Sequence, residues 1–156
     1  CIRDRQAAAE EKMRLLLDHL DYTGVLTIEF FLINGELLVN EFAPRVHNSG
    51  HWTIDGADCS QFENHLRAIS GLPLGETHMT AYSLMFNWIG EMPDQELLMS
   101  VAGLHWHDYG KAARPGRKIG HATLTAPDME SLRLNAARVA HAAGGDFTAL
   151  LEQLLA

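Results

Sequence analysis

The chain has 156 residues, of which 47% are apolar and 21% are charged, and its formal net charge is −8. These values are typical of one globular domain, or of one domain with a small annex, and exclude collagen-like, disordered and disulfide-rich chains. The negative charge argues against binding to nucleic acid or to a membrane, so any bound anion must be held by local basic groups. Only two cysteines and no long apolar run predict a cytoplasmic protein.

In the first half of the chain, the apolar pattern predicts a helix, a hairpin and a second helix. Asn34-Gly35 lies between two strand-like runs and is a strong hairpin signal. Ser60 is a predicted N-cap, with Glu63 at the capping-box position. The predicted elements are a helix at 4–20, strands at 25–33 and 36–42, a polar loop at 43–57 and a helix at 60–69.

In the second half, strand-like runs outnumber helical ones until the last 30 residues. The predicted elements are a strand at 81–89, a helical turn or two at 94–100, strands at 103–109 and 118–125, and helices at 128–143 and 146–155. Because the strands follow one another in hairpins and do not alternate regularly with helices, the α+β class is favoured over a doubly wound sheet.

Two glutamates stand out in the predicted hairpin. Glu29 interrupts an apolar run, and Glu41 lies in the second strand beside Asn40. Two carboxylates on one face can hold Mg²⁺, a hard cation that takes oxygen ligands and leaves positions for phosphate oxygens. The alternative is a pair of charged residues on a solvated face of the sheet.

The length of the hairpin turn decides whether the two carboxylates share a face. A two-residue turn pairs Glu29 with Asn40 and sends Glu41 to the opposite face. A three-residue loop, with Gly35 at positive φ and a bulge, pairs Glu29 with Val39. Glu41 is then the diagonal neighbour on the same face, about 7–8 Å away at the backbone. We predict the three-residue loop and a shared face.

The stretch after the hairpin is dense in groups that bind anions. It combines a guanidinium, two imidazoles, an amide and a hydroxyl within eight positions. The residues singled out are Arg45, His47, Asn48, Ser49, Gly50, His51 and Trp52. The alternative is a polar surface connector that Trp52 anchors.

A second group of cations lies in a Pro-Gly turn between the last two predicted strands. The four residues are Lys111, Arg114, Arg117 and Lys118. No acid lies among them, which favours a focused anion site in a chain of charge −8. A solvated basic turn is the alternative.

Three runs of the sequence together resemble a known family. They are NEFAPRVHNSGHWT after the hairpin, SQFENHLRAISGLPLG in the next helix and RPGRKIGH at the basic turn. These runs are similar to those of the N5-carboxyaminoimidazole ribonucleotide synthetases, which belong to the ATP-grasp ligases. The two-glutamate hairpin is common to ATP-grasp enzymes, whereas APRVHNSGHW and RPGRK are peculiar to this family. The resemblance extends from about Gly24 to the end of the chain.

The resemblance implies a division of the chain. Residues 1–75 would be the C-terminal part of an ATP-grasp domain, an antiparallel hairpin sheet with helices, and residues 76–156 a small β-rich C-terminal domain. A missing N-terminal half would carry the Gly-rich loop and most of the adenine pocket, so we expect the chain alone to be inactive. A homodimer is implied for the complete enzyme.

The implied activity is ATP-dependent carboxylation in purine biosynthesis. Bicarbonate, ATP and aminoimidazole ribonucleotide would give N5-carboxyaminoimidazole ribonucleotide, ADP and phosphate by way of carboxyphosphate. The implied roles are Mg²⁺ binding for Glu29 and Glu41, ATP binding for Asn40 and Glu41, bicarbonate and carboxyphosphate binding for Arg45, His47 and Asn48, substrate-loop positions for Ser49, Gly50 and His51, and binding of the substrate 5′-phosphate for Lys111, Arg114, Arg117 and Lys118.

Two other functions stay open. One is a segment of another ATP-grasp carboxylase or of a transformylase, which the APRVHNSGHW and RPGRK runs argue against. The other is a non-catalytic fragment that only packs or dimerises.

Two further features are predicted to be structural. Alternation places His105 and His107 on one strand face, but a zinc site needs further ligands that the sequence does not place. Cys59 is predicted to be a small packing residue and not a nucleophile.

Overall fold

The computed structural model describes residues 2–143, with side chains from residue 5 onward. The described chain forms two compact units, of which the first holds residues 2–51 and 59–76 and the second holds residues 52–58 and 77–143. A short segment of the second unit therefore interrupts the first along the sequence. The predicted helix at 146–155 lies outside the described residues.

Helices and strands follow the predicted order, and the α+β class is confirmed. In chain order the elements are α1 (Ile2–Leu20), β1 (Thr27–Ile33), β2 (Glu36–Ala43), a 3₁₀ turn (Asn48–Gly50), α2 (Thr53–Gly56), α3 (Gln61–Ile69), β3 (Tyr82–Ile89), α4 (Gln95–Met99), β4 (Leu104–Asp108), β5 (Lys118–Ala126) and α5 (Met129–Ala142). The 3₁₀ turn and α2 lie in the predicted polar loop, where apolar periodicity gave no signal.

The first unit contains α1, the β1–β2 hairpin and α3. Helix α3 begins where predicted, because the Ser60 hydroxyl accepts a hydrogen bond from the Glu63 amide at 3.2 Å. The Glu63 carboxylate accepts from Arg67 Nε, one turn further on, at 2.9 Å. Cys59 is buried beside this N-terminus, as predicted for a packing residue.

The second unit is built on a three-stranded antiparallel sheet with the order β3-β5-β4. The central strand β5 is buried on both faces. One face packs against α5, where Leu124 and Ala136 are completely buried. The other face is polar, because β4 and β5 place His107 and His121 there as cross-strand partners. The hydrophobic core of this unit therefore lies on the α5 side.

Leu124→Ala tests this assignment of the core. We expect it to lower the free energy of unfolding by about 2–5 kcal/mol, because the deleted methyl groups leave a cavity in a site with no solvent contact. Urea or thermal denaturation measures the change. The matched control is Leu134→Ala, whose side chain on α5 is exposed and should change stability by less than about 0.5 kcal/mol. Equal losses for both variants would contradict the assignment.

Among the described residues, no helix is both long and apolar enough to cross a membrane.

Candidate functional site

The hairpin turn differs from the predicted one. Ile33 pairs with Glu36, so the turn has two residues, Asn34 and Gly35. Both have positive φ, 51° and 89°, as a type I′ hairpin turn requires. The predicted three-residue loop is therefore wrong, although Gly35 has positive φ as predicted.

A β-bulge nevertheless brings the two glutamates together. Phe30 pairs with Val39, and the register then shifts by one residue. As a result Glu29 pairs with Glu41, and Asn40 is the extra residue of β2. A one-residue shift moves a side chain to the other face, so the bulge offsets the effect of the two-residue turn. The predicted shared face is confirmed, but the partner of Glu29 is Glu41 and not Val39.

The shared face carries a cluster of one imidazole and two carboxylates. Glu29, Glu41 and His47 offer potential ligand atoms that all lie within 4.8 Å of one another. His47 Nε2 is 3.4 Å from Glu29 Oε1, and Asn40 Nδ2 is 3.5 Å from the other oxygen of Glu29. Both glutamates are exposed, so their oxygens are accessible to an ion. Two accessible carboxylates on one face are a donor set that fits Mg²⁺.

Hydrogen bonds between neighbouring residues hold the loop after β2 together. His47 Nδ1 is 2.8 Å from the Ser49 hydroxyl and also accepts from the Ser49 amide at 3.4 Å. Asn48 begins the 3₁₀ turn, which the His51 amide closes by donating to the Asn48 carbonyl at 3.1 Å. Arg45 is exposed, and its Nη1 donates to the Val46 carbonyl at 3.0 Å.

Gln61, the first residue of α3, holds this loop and was not singled out from the sequence. Its Oε1 accepts from the His47 amide at 2.9 Å, and its Nε2 donates to the His47 carbonyl at 2.7 Å. The same Nε2 lies 2.8 Å from His51 Nδ1. A Cβ atom at Gly50 would lie only 2.7 Å from Gln61 Oε1, so a side chain at position 50 would displace the Gln61 amide. Gln61 follows a helix N-cap, but that position alone predicts no partner 14 residues away.

The basic turn between β4 and β5 belongs to the second unit. All four of its predicted cations are exposed. Lys111 Nζ lies 5.0 Å above the centre of the Tyr109 ring, within the range of a cation–π contact. The Arg117 amide donates to the Arg114 carbonyl at 3.0 Å and closes the turn. The turn is thus a defined loop that presents its charges to solvent.

A polar network covers the sheet face opposite α5. His107 Nε2 lies 2.8 Å from Asp55 Oδ2, and His105 Nδ1 lies 3.7 Å from Asp55 Oδ1, so the two histidines share a face as predicted. His121 is buried, and its Nδ1 is 2.8 Å from the Tyr109 hydroxyl.

This network does not have the geometry of a metal centre, although Asp55, His107 and His121 lie close enough together. The His107 and His121 rings are stacked, with centroids 4.3 Å apart and an interplanar angle of 10°. Imidazole lone pairs lie in the plane of the ring, so two stacked rings direct them along separate planes and not at one ion. We interpret the network as the contact by which Asp55 on α2 packs against the sheet.

Comparison with known proteins identifies both parts of the chain. Residues 2–62 match the model of the ATP-grasp domain, and residues 83–134 match that of the phosphoribosylaminoimidazole carboxylase C-terminal domain. The N5-carboxyaminoimidazole ribonucleotide synthase of Pseudomonas aeruginosa is 55% identical over 134 residues, which cover 86% of this chain and 37% of that protein. The chain belongs to this synthase family. The synthase of Escherichia coli is 48% identical over 133 residues, which cover 85% of the chain and 36% of the relative.

Solved structures of the family have the same fold over the matched part. The synthetase of Thermus thermophilus superposes with a TM-score of 0.84 at 52% identity, covering 90% of this chain and 39% of that one. The synthase of Aspergillus clavatus in complex with ADP and 5-aminoimidazole ribonucleotide superposes with a TM-score of 0.69 at 39% identity, covering 78% and 35%. The chain thus spans about a third of the length of its curated relatives and corresponds to their C-terminal portion.

Proposed function

We propose that this chain supplies part of the active site of an ATP-dependent carbon–nitrogen ligase of purine biosynthesis. The reaction joins bicarbonate to 5-aminoimidazole ribonucleotide and gives N5-carboxyaminoimidazole ribonucleotide, ADP and phosphate. The observation that carries the proposal is the exposed Glu29–Glu41 pair next to a loop rich in anion-binding groups, in a member of this family. The rest of the site would come from the part of the relatives that precedes the matched segment.

The carboxylate pair is the proposed nucleotide side of the site. Glu29 and Glu41 would hold Mg²⁺, and Asn40 with Glu41 would contact ATP. When bound there, Mg²⁺ would neutralise the negative charge that develops on the phosphate oxygens during transfer. The Asn40 amide, within 3.5 Å of Glu29, supports the orientation of that carboxylate.

The loop is the proposed bicarbonate side. Attack of a bicarbonate oxygen on the γ-phosphate forms carboxyphosphate and releases ADP, and the negative charge on the transferring oxygens must be stabilised. Arg45 is suited to this role because its guanidinium presents a planar fork of N–H donors and is accessible to solvent. His47 and Asn48 add donors, and residues Ser49–His51 continue the same loop.

The basic turn is the proposed site for the 5′-phosphate of the ribonucleotide. Its four cations, Lys111, Arg114, Arg117 and Lys118, lie within eight residues and are exposed. A phosphate dianion would relieve the repulsion among them. The contact concerns a part of the substrate that does not react, so it should contribute to binding of that substrate alone.

Charge removal in the basic turn tests this assignment. In the complete gene product, Lys111→Ala or Arg117→Ala should raise the KM for aminoimidazole ribonucleotide by about 10–100-fold, because each removes a charged hydrogen bond to phosphate. The KM for ATP should stay nearly unchanged, and Lys12→Ala, an exposed lysine on α1, is the matched control. Steady-state kinetics with each substrate varied in turn measures the effect. Equal changes in KM for both substrates, or no change in either, would contradict the phosphate assignment and indicate that the turn is a solvated surface loop.

A chimera tests the function as a whole. The segment of the Pseudomonas aeruginosa synthase that matches this chain is replaced by the chain, and the chimera is expressed in a bacterial strain that lacks its own synthase. We expect growth without added purine. A chimera that also carries Glu41→Gln should not support growth, whereas one that carries Gln95→Glu on the exposed side of α4 should. Equal growth with Glu41→Gln would contradict the proposal.

A further inference from the structure

The orientation of the Gln61 side chain follows from its backbone partner. The His47 amide can only donate and the His47 carbonyl can only accept. The atom that lies 2.9 Å from the amide must therefore be the Gln61 oxygen, and the atom 2.7 Å from the carbonyl must be its nitrogen. The side-chain amide of Gln61 thus forms a pair of hydrogen bonds with a single residue of the loop.

This orientation determines the tautomer of His51. Gln61 Nε2 uses one hydrogen for the His47 carbonyl, and its second hydrogen is available to His51 Nδ1, the nitrogen 2.8 Å away. An NH₂ group cannot accept a hydrogen bond from the ring, so His51 Nδ1 must be the unprotonated acceptor. In the neutral imidazole the proton then resides on Nε2. The His51 ring is tilted against Phe62, with centroids 5.1 Å apart, which also limits its rotation.

His47 is fixed in the same tautomer by a different partner. Its Nδ1 accepts from the backbone amide of Ser49, which can only donate. The proton of the neutral ring is therefore on Nε2, the atom 3.4 Å from Glu29 Oε1. An Nε2–H group donates to a carboxylate and offers no lone pair to a cation. Of the three groups in this cluster, the two glutamates then remain as ligands for an ion.

We propose that Gln61 is a positioning residue that holds His51 as its Nε2–H tautomer, so that the loop presents N–H donors and not lone pairs to an oxyanion. The proposal rests on the assignment of this loop to bicarbonate. An N–H donor stabilises a carboxylate or phosphate oxygen, whereas an imidazole lone pair repels it. Gln61 would thereby make the contact between the His51 ring and the oxyanion attractive, although Gln61 itself does not touch the substrate.

The first test uses the chain itself and no substrate. Two-bond ¹H–¹⁵N spectra at pH about 8, above the usual histidine pKa of about 6.5, distinguish protonated from unprotonated ring nitrogens. We expect Nε2 of His51 to be protonated and a through-hydrogen-bond coupling to join Gln61 Nε2 with His51 Nδ1. A protonated Nδ1, or absence of the coupling, would overturn the proposal.

The second test changes the partner of the ring. In Gln61→Glu the carboxylate can only accept, so His51 should become protonated at Nδ1. His65 is an internal control, because its Nδ1 accepts from the Val25 amide at 3.0 Å and should keep its tautomer. Gln95→Glu, the same exchange on an exposed helix, should leave His51 unchanged. If His51 Nδ1 stays unprotonated in Gln61→Glu, a group other than Gln61 determines the tautomer of His51, and the proposal is wrong.

Kinetics then separates this proposal from the proposed function. In the complete gene product, Gln61→Glu should raise the KM for bicarbonate about tenfold and leave the KM for ATP nearly unchanged, because one donor to the anion is lost. A changed tautomer with an unchanged KM for bicarbonate would overturn the role of His51 as an oxyanion donor. If Arg45→Ala also leaves bicarbonate kinetics unchanged, the assignment of the loop fails instead, while the spectroscopic result stands.

Discussion

Arg45→Ala should lower the bicarbonate-dependent turnover of the complete gene product by about 100–1,000-fold, which is the usual cost of removing one preorganised donor to a developing oxyanion. The KM for ATP should change little, because the proposed contact is to the carboxyl oxygens. Among the described residues, the Arg45 guanidinium donates a hydrogen bond to the carbonyl of its neighbour Val46, so we expect its removal to cause no large loss of stability.

Release of ADP at saturating and at limiting bicarbonate is the measurement for Arg45→Ala. Arg133→Ala is the matched control, because Arg133 is an exposed arginine on α5, far along the chain from the loop. Thermal denaturation of both variants checks that the fold is retained. If the turnover of Arg45→Ala is close to that of Arg133→Ala, Arg45 does not stabilise the developing oxyanion.

Glu41→Gln should lower turnover by on the order of 100-fold or more and raise the Mg²⁺ concentration needed for half-maximal rate. The exchange keeps the size of the side chain and removes the charge that the proposed metal site requires, and metal-ion catalysis is worth several kcal/mol. Because Glu41 is exposed, the fold should tolerate the change.

A Mg²⁺ titration of ADP release is the measurement for Glu41→Gln. Glu36→Gln is the control, since Glu36 is an exposed glutamate at the turn end of the same strand. The same Mg²⁺ dependence in both variants would mean that the carboxylate pair does not bind the metal that the reaction uses.

The hairpin illustrates what local sequence patterns predict. Asn34-Gly35 predicts the turn, because both residues tolerate positive φ and such turns match the twist of the strands. The bulge at Asn40 has no comparable signal. Nothing in the residue types near position 40 marks an extra residue, and the twist and packing of the pair determine where the register shifts. The prediction made the turn one residue too long and missed the bulge at Asn40. These two errors cancelled, so the prediction that Glu29 and Glu41 share a face was still right.

The contacts that were missed join residues far apart in the chain. Gln61 binds His47 and His51 across 14 and 10 positions, and Asp55 binds His107 across 52. Periodicity and capping patterns extend over a few residues only, so they cannot predict such partners. Local patterns also could not predict that residues 52–58 belong to the second unit, because this depends on the sheet against which α2 packs.

The family resemblance supplied what local patterns could not. Asn40 and Arg45 have ordinary positions in a strand and a loop. Only the resemblance, which the run NEFAPRVHNSGHWT carries together with SQFENHLRAISGLPLG and RPGRKIGH, connected them with carboxylation. The match of residues 83–134 to the carboxylase C-terminal domain favours this family over other ATP-grasp carboxylases and over transformylases.

The most direct test of the proposed function is the product that the complete gene product forms from ¹³C-bicarbonate. We predict a ¹³C carbamate signal on aminoimidazole ribonucleotide that appears only when ATP and Mg²⁺ are present, with one ADP released for each carbamate formed. ADP release that needs neither bicarbonate nor aminoimidazole ribonucleotide, or a labelled product on a different acceptor, would contradict the account.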